Sequence, residues 1–450
     1  MSIGTVETVA DRMANFVVSL NQATIPAEVM EKARCCLLYG LGVGLCSFST
    51  PFAAVSGRAA EALHPPAQQG ATIFWSGRRA PVTAAVLANA ALLHGRCQED
   101  TSGTAHLGVM VIPLLLALLE TRAIPADRLL PALVAGYEVG GHLEATLARL
   151  TVKAGFRASP IYGVFAATAA ACRLLDAPAP VVRSALAHAA AFAGGTLQAL
   201  GEGSDEWRYQ VGLAAEAGLM ATELARAGAE GARLAFEGRQ GFARVFTRDE
   251  LPAALCERLG ADWTILRTTF KPFPVCAHNQ SVATAALHLR ERVDVGQVAS
   301  VEVRIDPYVV PGMLNVGPFG RVSETLMSTA FCAAAALTRG RLDMAELQAF
   351  DDPVILDLTA RTEVVTTPDV VFPACTLRAR LRGGEVVEQV EALTSQDYDL
   401  KRVQILDQLH RMAVQNDVDG RAVDMLAVCV EGLPDTDPLE MVRAFSLAHR

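Results

Sequence analysis

The sequence predicts a mainly α-helical chain with an inserted α+β domain: a large all-helical bundle carrying a smaller α+β lid. Three observations predict this. Alanine-rich apolar segments with helical spacing fill the chain to about residue 262. Near Trp263 the texture changes to short segments that alternate apolar and polar residues. After about residue 394 the helical pattern returns. The expected division is therefore a helical domain from 1–265 and 395–450, with the α+β lid at 266–394.

The elements follow in order. Thr24-Ile25-Pro26-Ala27-Glu28 reads as a helix start, with proline in the first turn and an acid beside it. It leads into Val29–Cys46, where Gly40, Gly42 and Gly44 allow close helix contact. Ser76-Gly77-Arg78-Arg79 reads as a polar turn, and Pro81 opens the alanine-rich helix Val82–His94. Met110–Leu119 is apolar, with Pro113 near its start, and Leu129–Leu150 carries the small residues Gly136, Gly140 and Gly141. Runs at Tyr162–Leu175, Val181–Ala193 and Gly212–Arg226 complete a bundle buried on several sides. Ala299–Ile305 alternates as a strand does, Thr362–Thr366 is a second strand, and Thr376–Leu381, Arg382-Gly383-Gly384 and Glu385–Leu393 form a hairpin. Helices are expected between them at Gln280–Arg292 and Ser323–Thr338, and at the end at Leu400–Gln415 and Asp435–Ala448.

Composition excludes several function classes. Net charge is −9 without a basic block, which argues against a nucleic-acid partner. The stretch from Met1 to Glu7 lacks a basic region followed by an apolar run, so no signal peptide is expected. The longest apolar stretches, near Cys35–Phe48 and Val109–Leu119, are too short or too interrupted to span a bilayer. Ten scattered cysteines, none in a C-x-x-C pair, fit reduced thiols in a cytoplasm and argue against structural zinc or an iron–sulfur cluster.

Polar residues that could carry chemistry fall in short islands. Lys271 is one of four lysines against more than thirty arginines. A retained lysine can lose its proton or act as a compact point charge, which arginine cannot. It sits in Thr269-Phe270-Lys271-Pro272-Phe273-Pro274-Val275-Cys276-Ala277-His278, where the prolines enforce an extended backbone. A surface lysine on a linker fits the same spacing. A second island runs from His94 through Cys97, Gln98, Glu99, Asp100, Thr101 and Ser102 to His106, between two apolar helices. A histidine oriented by a carboxylate suits proton transfer; a capped inter-helix loop fits equally. Cys97, Glu99, Asp100 and His106 match no recognised metal-ligand spacing. Gly201 to Gln210 supplies Arg208, which could clamp a carboxylate, ahead of the Gly212–Arg226 helix. Gly155-Phe156-Arg157 opens another helix, where an arginine and a helix N-terminus could together hold an anion.

These islands, in this order, resemble the MmgE/PrpD family, which includes 2-methylcitrate dehydratase, cis-aconitate decarboxylase and iminodisuccinate epimerase. The likeness covers nearly the whole chain and includes Gly136-Tyr137-Glu138-Val139-Gly140, Gly155-Phe156, Gly212-x-Ala214-Ala215 and Phe270-Lys271-Pro272-Phe273-Pro274. The resemblance implies a helical domain with an inserted lid, a homodimer, no metal and no cofactor. It implies that Lys271 is an active-site lysine and that Asp100, Thr101 and His106 match the family's acidic loop. Glu99 stands for that loop's middle acid and Cys97 replaces its first; Arg157 stands where many members have a histidine, and Trp207 and Gln210 where a lysine and a histidine are usual. The implied activity is a cofactor-independent lyase or isomerase on a small polycarboxylate, with dehydration favoured over decarboxylation or epimerisation. His106, Lys271 and Asp100 are the expected catalytic residues. Thr101, Cys97, Arg157, Arg208, Cys276 and His278 are the expected substrate contacts. A binding-only relative and an enzyme for a larger substrate are the alternatives.

Overall fold

The computed structural model describes residues 7–448 except Pro66, Glu250, Leu251, Ala253 and Ala254. The reading of Met1–Val6 therefore lies outside the described residues. In the N-terminal part the helices are α1 (Val9–Ser19), α2 (Ala27–Leu45), α3 (Pro51–Leu63), α4 (Val82–Leu93), α5 (Gly108–Thr121), α6 (Leu129–Lys153), α7 (Ala158–Leu174), α8 (Ala179–Phe192), α9 (Gln198–Glu202), α10 (Glu206–Arg226) and α11 (Phe242–Thr247). Two short strands, β1 (Ala71–Thr72) and β2 (Arg79–Ala80), pair around the expected polar turn. Prolines start several helices as the sequence predicts: Pro26 and Pro81 occupy the cap positions of α2 and α4. Their missing N–H groups would have had no intrahelical partner there.

Alanine and glycine set the packing of this part. A Cβ added at Gly136 would come within 2.9 Å of the Ala166 carbonyl oxygen, and one at Gly218 within 2.6 Å of the Ala167 Cβ. Helices α6, α7 and α10 therefore pack backbone against backbone, and their apolar residues join one core with α2, α5 and the C-terminal helices. Among the described residues no helix is long and apolar enough to cross a membrane.

The four-stranded sheet lies wholly in the C-terminal part. β3 (Val298–Ile305), β4 (Thr362–Thr366), β5 (Cys375–Leu381) and β6 (Val386–Glu391) are arranged β4-β3-β5-β6. β3 runs parallel to β4, with Val303 opposite Val364, and antiparallel to β5. A parallel neighbour needs a crossover, which α13 (Val322–Met327), α14 (Thr329–Arg339), α15 (Met344–Leu347) and α16 (Pro353–Ala360) provide after α12 (Asn279–Arg290). Cys375, Leu377 and Ala379 of β5 are buried on one face, with α12 packed over the hairpin. These residues form a second core that also takes in Phe52, Cys97, Ala199 and Trp207 from the helical part. The chain closes with α17 (Arg402–Gln415), α18 (Gly420–Glu431) and α19 (Glu440–Leu447).

Two expectations are corrected. The single helix expected at Ser323–Thr338 is broken at Ser328, whose extended backbone ends α13 while its hydroxyl caps α14 by accepting from the Phe331 N–H. The polar island before Gly212 is not all loop: α10 begins at Glu206 and includes Arg208.

Candidate active site

The polar loop between α4 and α5 is stitched to the segment that carries Lys271. Thr101 N–H donates to the Thr269 carbonyl at 2.8 Å and Thr269 N–H to the Thr101 carbonyl at 2.9 Å. Gln98 Nε2 donates to the Pro272 carbonyl at 2.7 Å. The loop turns at Gly103, whose φ of +60° suits a residue without Cβ, and an added Cβ there would strike the Glu144 carboxylate. Glu144 in turn takes hydrogen bonds from the Thr104 amide and hydroxyl, both at 2.7 Å. On the far side of Lys271, its own carbonyl accepts from Tyr39 Oη at 2.5 Å and from Gln408 Nε2 at 3.0 Å. The lysine is thus fixed by α2, α17 and the loop together.

Its side chain is 3% exposed, which excludes the surface-linker reading. Nζ donates to the Cys97 carbonyl at 2.6 Å and lies 3.2 Å from Glu99 Oε1. The same oxygen lies 3.1 Å from His94 Nδ1 and 3.2 Å from His106 Nδ1. One buried carboxylate oxygen therefore gathers an ammonium and two imidazoles. Burial pushes the Glu99 carboxyl up, but Lys271 and the two histidines outweigh it and hold it well below the usual range. Burial likewise works against the Lys271 ammonium, yet the Cys97 sulfur and Glu99 raise it above the ordinary lysine value. Cys97 is itself raised by burial and stays a thiol, so Glu99 is the anion that keeps Lys271 charged. At rest Lys271 is therefore a charged ammonium, a compact point charge that still carries a proton it can give to a stronger base.

Both histidines are neutral, and their surroundings assign the proton. Burial depresses His94 to about 4 and His106 well below its ordinary value. His106 Nδ1 faces two acceptors, Glu99 Oε1 and the Asp100 carbonyl at 3.1 Å, so Nδ1 carries the hydrogen. Nε2 then keeps its lone pair. His94 Nε2 lies 2.7 Å from Arg157 Nη2, a donor only, so His94 also carries its hydrogen on Nδ1, though not well aligned with Glu99. Arg157 is the N-cap residue of α7 and also donates to the Trp207 carbonyl. Burial lowers its guanidinium to about 10, which leaves it charged.

These groups open onto a cavity of about 290 Å³. Of the predicted residues, Cys97, Thr101, His106, Arg157, Lys271, Cys276 and His278 line it. The Thr101 hydroxyl is buried there without a hydrogen-bond partner, and Cys276 Sγ lies 3.9 Å from His278 Nδ1. Burial keeps the Cys276 thiol up at about 11 and His278 down at about 4.

Two predicted residues are placed elsewhere. Asp100, expected to orient His106, does so only through its backbone carbonyl. Adjacent side chains of this non-helical stretch point opposite ways, so the Asp100 carboxyl faces Tyr137, whose hydroxyl donates to it at 2.6 Å. Burial there raises it to about 7. Arg208, expected as a carboxylate clamp, is outside the cavity lining. Its guanidinium carbon lies 3.7 Å from the Phe52 ring centre and 3.9 Å from that of Trp207, and Nη1 donates to Ser323 Oγ at 2.5 Å. Placement within α10 turns it into the second core. Glu99 and His94 were in the right island but not among the chosen residues. Two signals pointed to Glu99: its match to the middle acid of the family's loop, and the alternation that lets only one of Glu99 and Asp100 face the lysine. Tyr39, Tyr137 and Gln408 carried no local signal at all. A metal reading of this loop fails on the same geometry, because the Lys271 ammonium already occupies the cation position beside Glu99 and His106.

Comparison with known proteins shows the family. Residues 11–254 match the MmgE/PrpD N-terminal domain and residues 273–413 the MmgE/PrpD C-terminal domain. The chain belongs to the MmgE/PrpD family. Among its relatives is the cis-aconitate decarboxylase-like protein oryM of Aspergillus oryzae, 28% identical over 86% of each chain. A cis-aconitate decarboxylase of Aspergillus terreus is 23% identical over 96% of this chain and 95% of its own. Both family regions contribute to the candidate site: the N-terminal match supplies the loop of His94 to His106, and the C-terminal match supplies Cys276 and His278. Lys271 lies between the two.

Proposed function

We propose that the protein is a cofactor-independent lyase that removes carbon dioxide from a small carboxylate. One observation carries this reading: Lys271, Arg157 and an unprotonated His106 Nε2 meet at a cavity whose remaining walls are mostly apolar. An apolar cavity disfavours a bound carboxylate relative to neutral carbon dioxide, so the charge that leaves the carboxylate is drawn onto the rest of the substrate. A fixed ammonium and guanidinium then stabilise that charge as it builds on a neighbouring carboxylate or enolate. The Lys271 ammonium is the group that can hand a proton to the resulting carbanion, with Glu99 holding it in place. Relatives that carry the name cis-aconitate decarboxylase support this class of reaction.

A second reading, dehydration, draws on one specific feature. His106 Nε2 is a base as it stands, and Lys271 could protonate a departing hydroxyl. Proton NMR in D₂O with citrate-like, aconitate-like and amino-dicarboxylate compounds separates the two. Carbon dioxide release with deuterium at the former carboxyl-bearing carbon supports decarboxylation. Loss of water from a hydroxy acid supports dehydration. Deuterium exchange without net conversion would point to epimerisation and overturn both.

A further inference from the structure

The cavity is built for more than a small polyanion. Its charges are two cations, Lys271 and Arg157, and Glu99 beside Lys271 cancels one of them. His106 and His278 are held neutral by burial. A ligand with three carboxylates would therefore leave negative charge unmatched in a buried site, at high cost. The same lining includes Val152, Leu197, Leu200, Val310 and Phe372, none of which can pair with a carboxylate.

Those apolar residues also lead somewhere. Val152, Leu197, Tyr308 and Val310 line a second cavity of about 1130 Å³ as well as the first. Thr196, Gln198 and Pro311, which line only that second cavity, are exposed, so it opens to the surface. The cavity that holds Lys271 and the one that opens to the surface therefore lie side by side, with Val152, Leu197, Tyr308 and Val310 bordering both.

We infer that the substrate is a carboxylate bearing an apolar chain, with its acid end at Lys271 and Arg157 and its tail along Val152, Leu197 and Val310 towards the outer cavity. This rests on the proposed lyase reading for the acid end only. The tail subsite stands on the cavity walls.

The test is calorimetric titration of the full chain with 2-alkylmaleates from methyl to octyl. Affinity rises by about threefold to fourfold per added methylene along the buried part of the path and levels off once the tail reaches solvent. Leu197→Asp flattens that slope, and Lys271→Ala weakens every member of the series while leaving the slope intact. Affinity that is constant or falls with chain length, or no binding by any member, overturns the tail subsite. Length-dependent binding without turnover of any compound leaves the tail subsite standing and counts against the lyase reading. Turnover of maleate or aconitate with no length dependence does the reverse.

Discussion

Glu99 is the residue around which the others take their protonation states. Its Oε1 holds Lys271 charged and faces the Nδ1 hydrogens of two neutral histidines. Lys271→Ala should lower kcat/KM roughly a thousandfold. Lys271→Arg should not restore it, because a planar fork cannot replace a compact ammonium between the Cys97 carbonyl and Glu99. Activity unchanged in Lys271→Ala and in His106→Gln would remove both from the catalytic machinery. With His106 held well below its ordinary value by burial, the acid limb of the kcat/KM profile should lie below about pH 6.5. A limb at or above that value would mean His106 is not the buried neutral base described. Asp100 gives a separate pH signature in stability. Its carboxyl is raised from 3.8 to about 7 by burial, so between those values the folded state holds a proton that the unfolded chain has released. Stability from this group therefore falls as pH rises through that window and is flat above it. Asp100→Asn keeps an acceptor for Tyr137 and should shrink the loss of urea midpoint between about pH 5 and about pH 8. An unaltered loss would show that Asp100 is ionised in the fold.

Elements place these groups through close packing that small residues permit. The approach of α10 to α7 leaves no room at Gly218, where an added Cβ would lie 2.6 Å from the Ala167 Cβ and 2.9 Å from the Val164 carbonyl oxygen. Gly218→Ala should cost about 1–3 kcal/mol in chemical denaturation, since two backbones would have to separate. Gly320→Ala is the matched control. Nothing lies within 4 Å of a Cβ there and φ is not positive, so it should be neutral or stabilising by up to about 1 kcal/mol. Equal effects at the two positions would mean that helix contact is not what Gly218 provides. At this scale much was legible in the sequence. Period-two alternation located β3, β4 and the β5–β6 hairpin within a few residues, and proline placed the starts of α2 and α4. The break at Ser328 was not legible, because Ser323–Thr338 keeps its helical spacing across it. Only the placement of α13 and α14 against different neighbours reveals the turn.

At the scale of the whole molecule, residues more than three hundred positions apart converge on one carbonyl. Tyr39 of α2 and Gln408 of α17 both hydrogen-bond to Lys271 O, and Gln408 also donates to Tyr39 Oη at 3.0 Å. Neither lines the cavity, so they are positioning residues. Gln408→Ala should lower kcat about tenfold or more with KM little changed, as expected when a catalytic group is displaced rather than a substrate contact removed. A change confined to KM, or to thermal stability with kcat intact, would refute that role. Local sequence determined the helical character, the strands, the polar islands and the singling out of Lys271, because each rests on periodicity, proline placement or the rarity of a residue type. The tertiary structure alone decided which acid serves the lysine, that Asp100 turns away, that Arg208 leaves the cavity for an aromatic stack, and that the cavity shares apolar lining residues with an outer one. Those outcomes depend on which face of the loop and of α10 meets which core. Burial keeps His94 and His106 neutral, whereas Glu99 and Lys271 stay charged against burial because the fold sets them side by side.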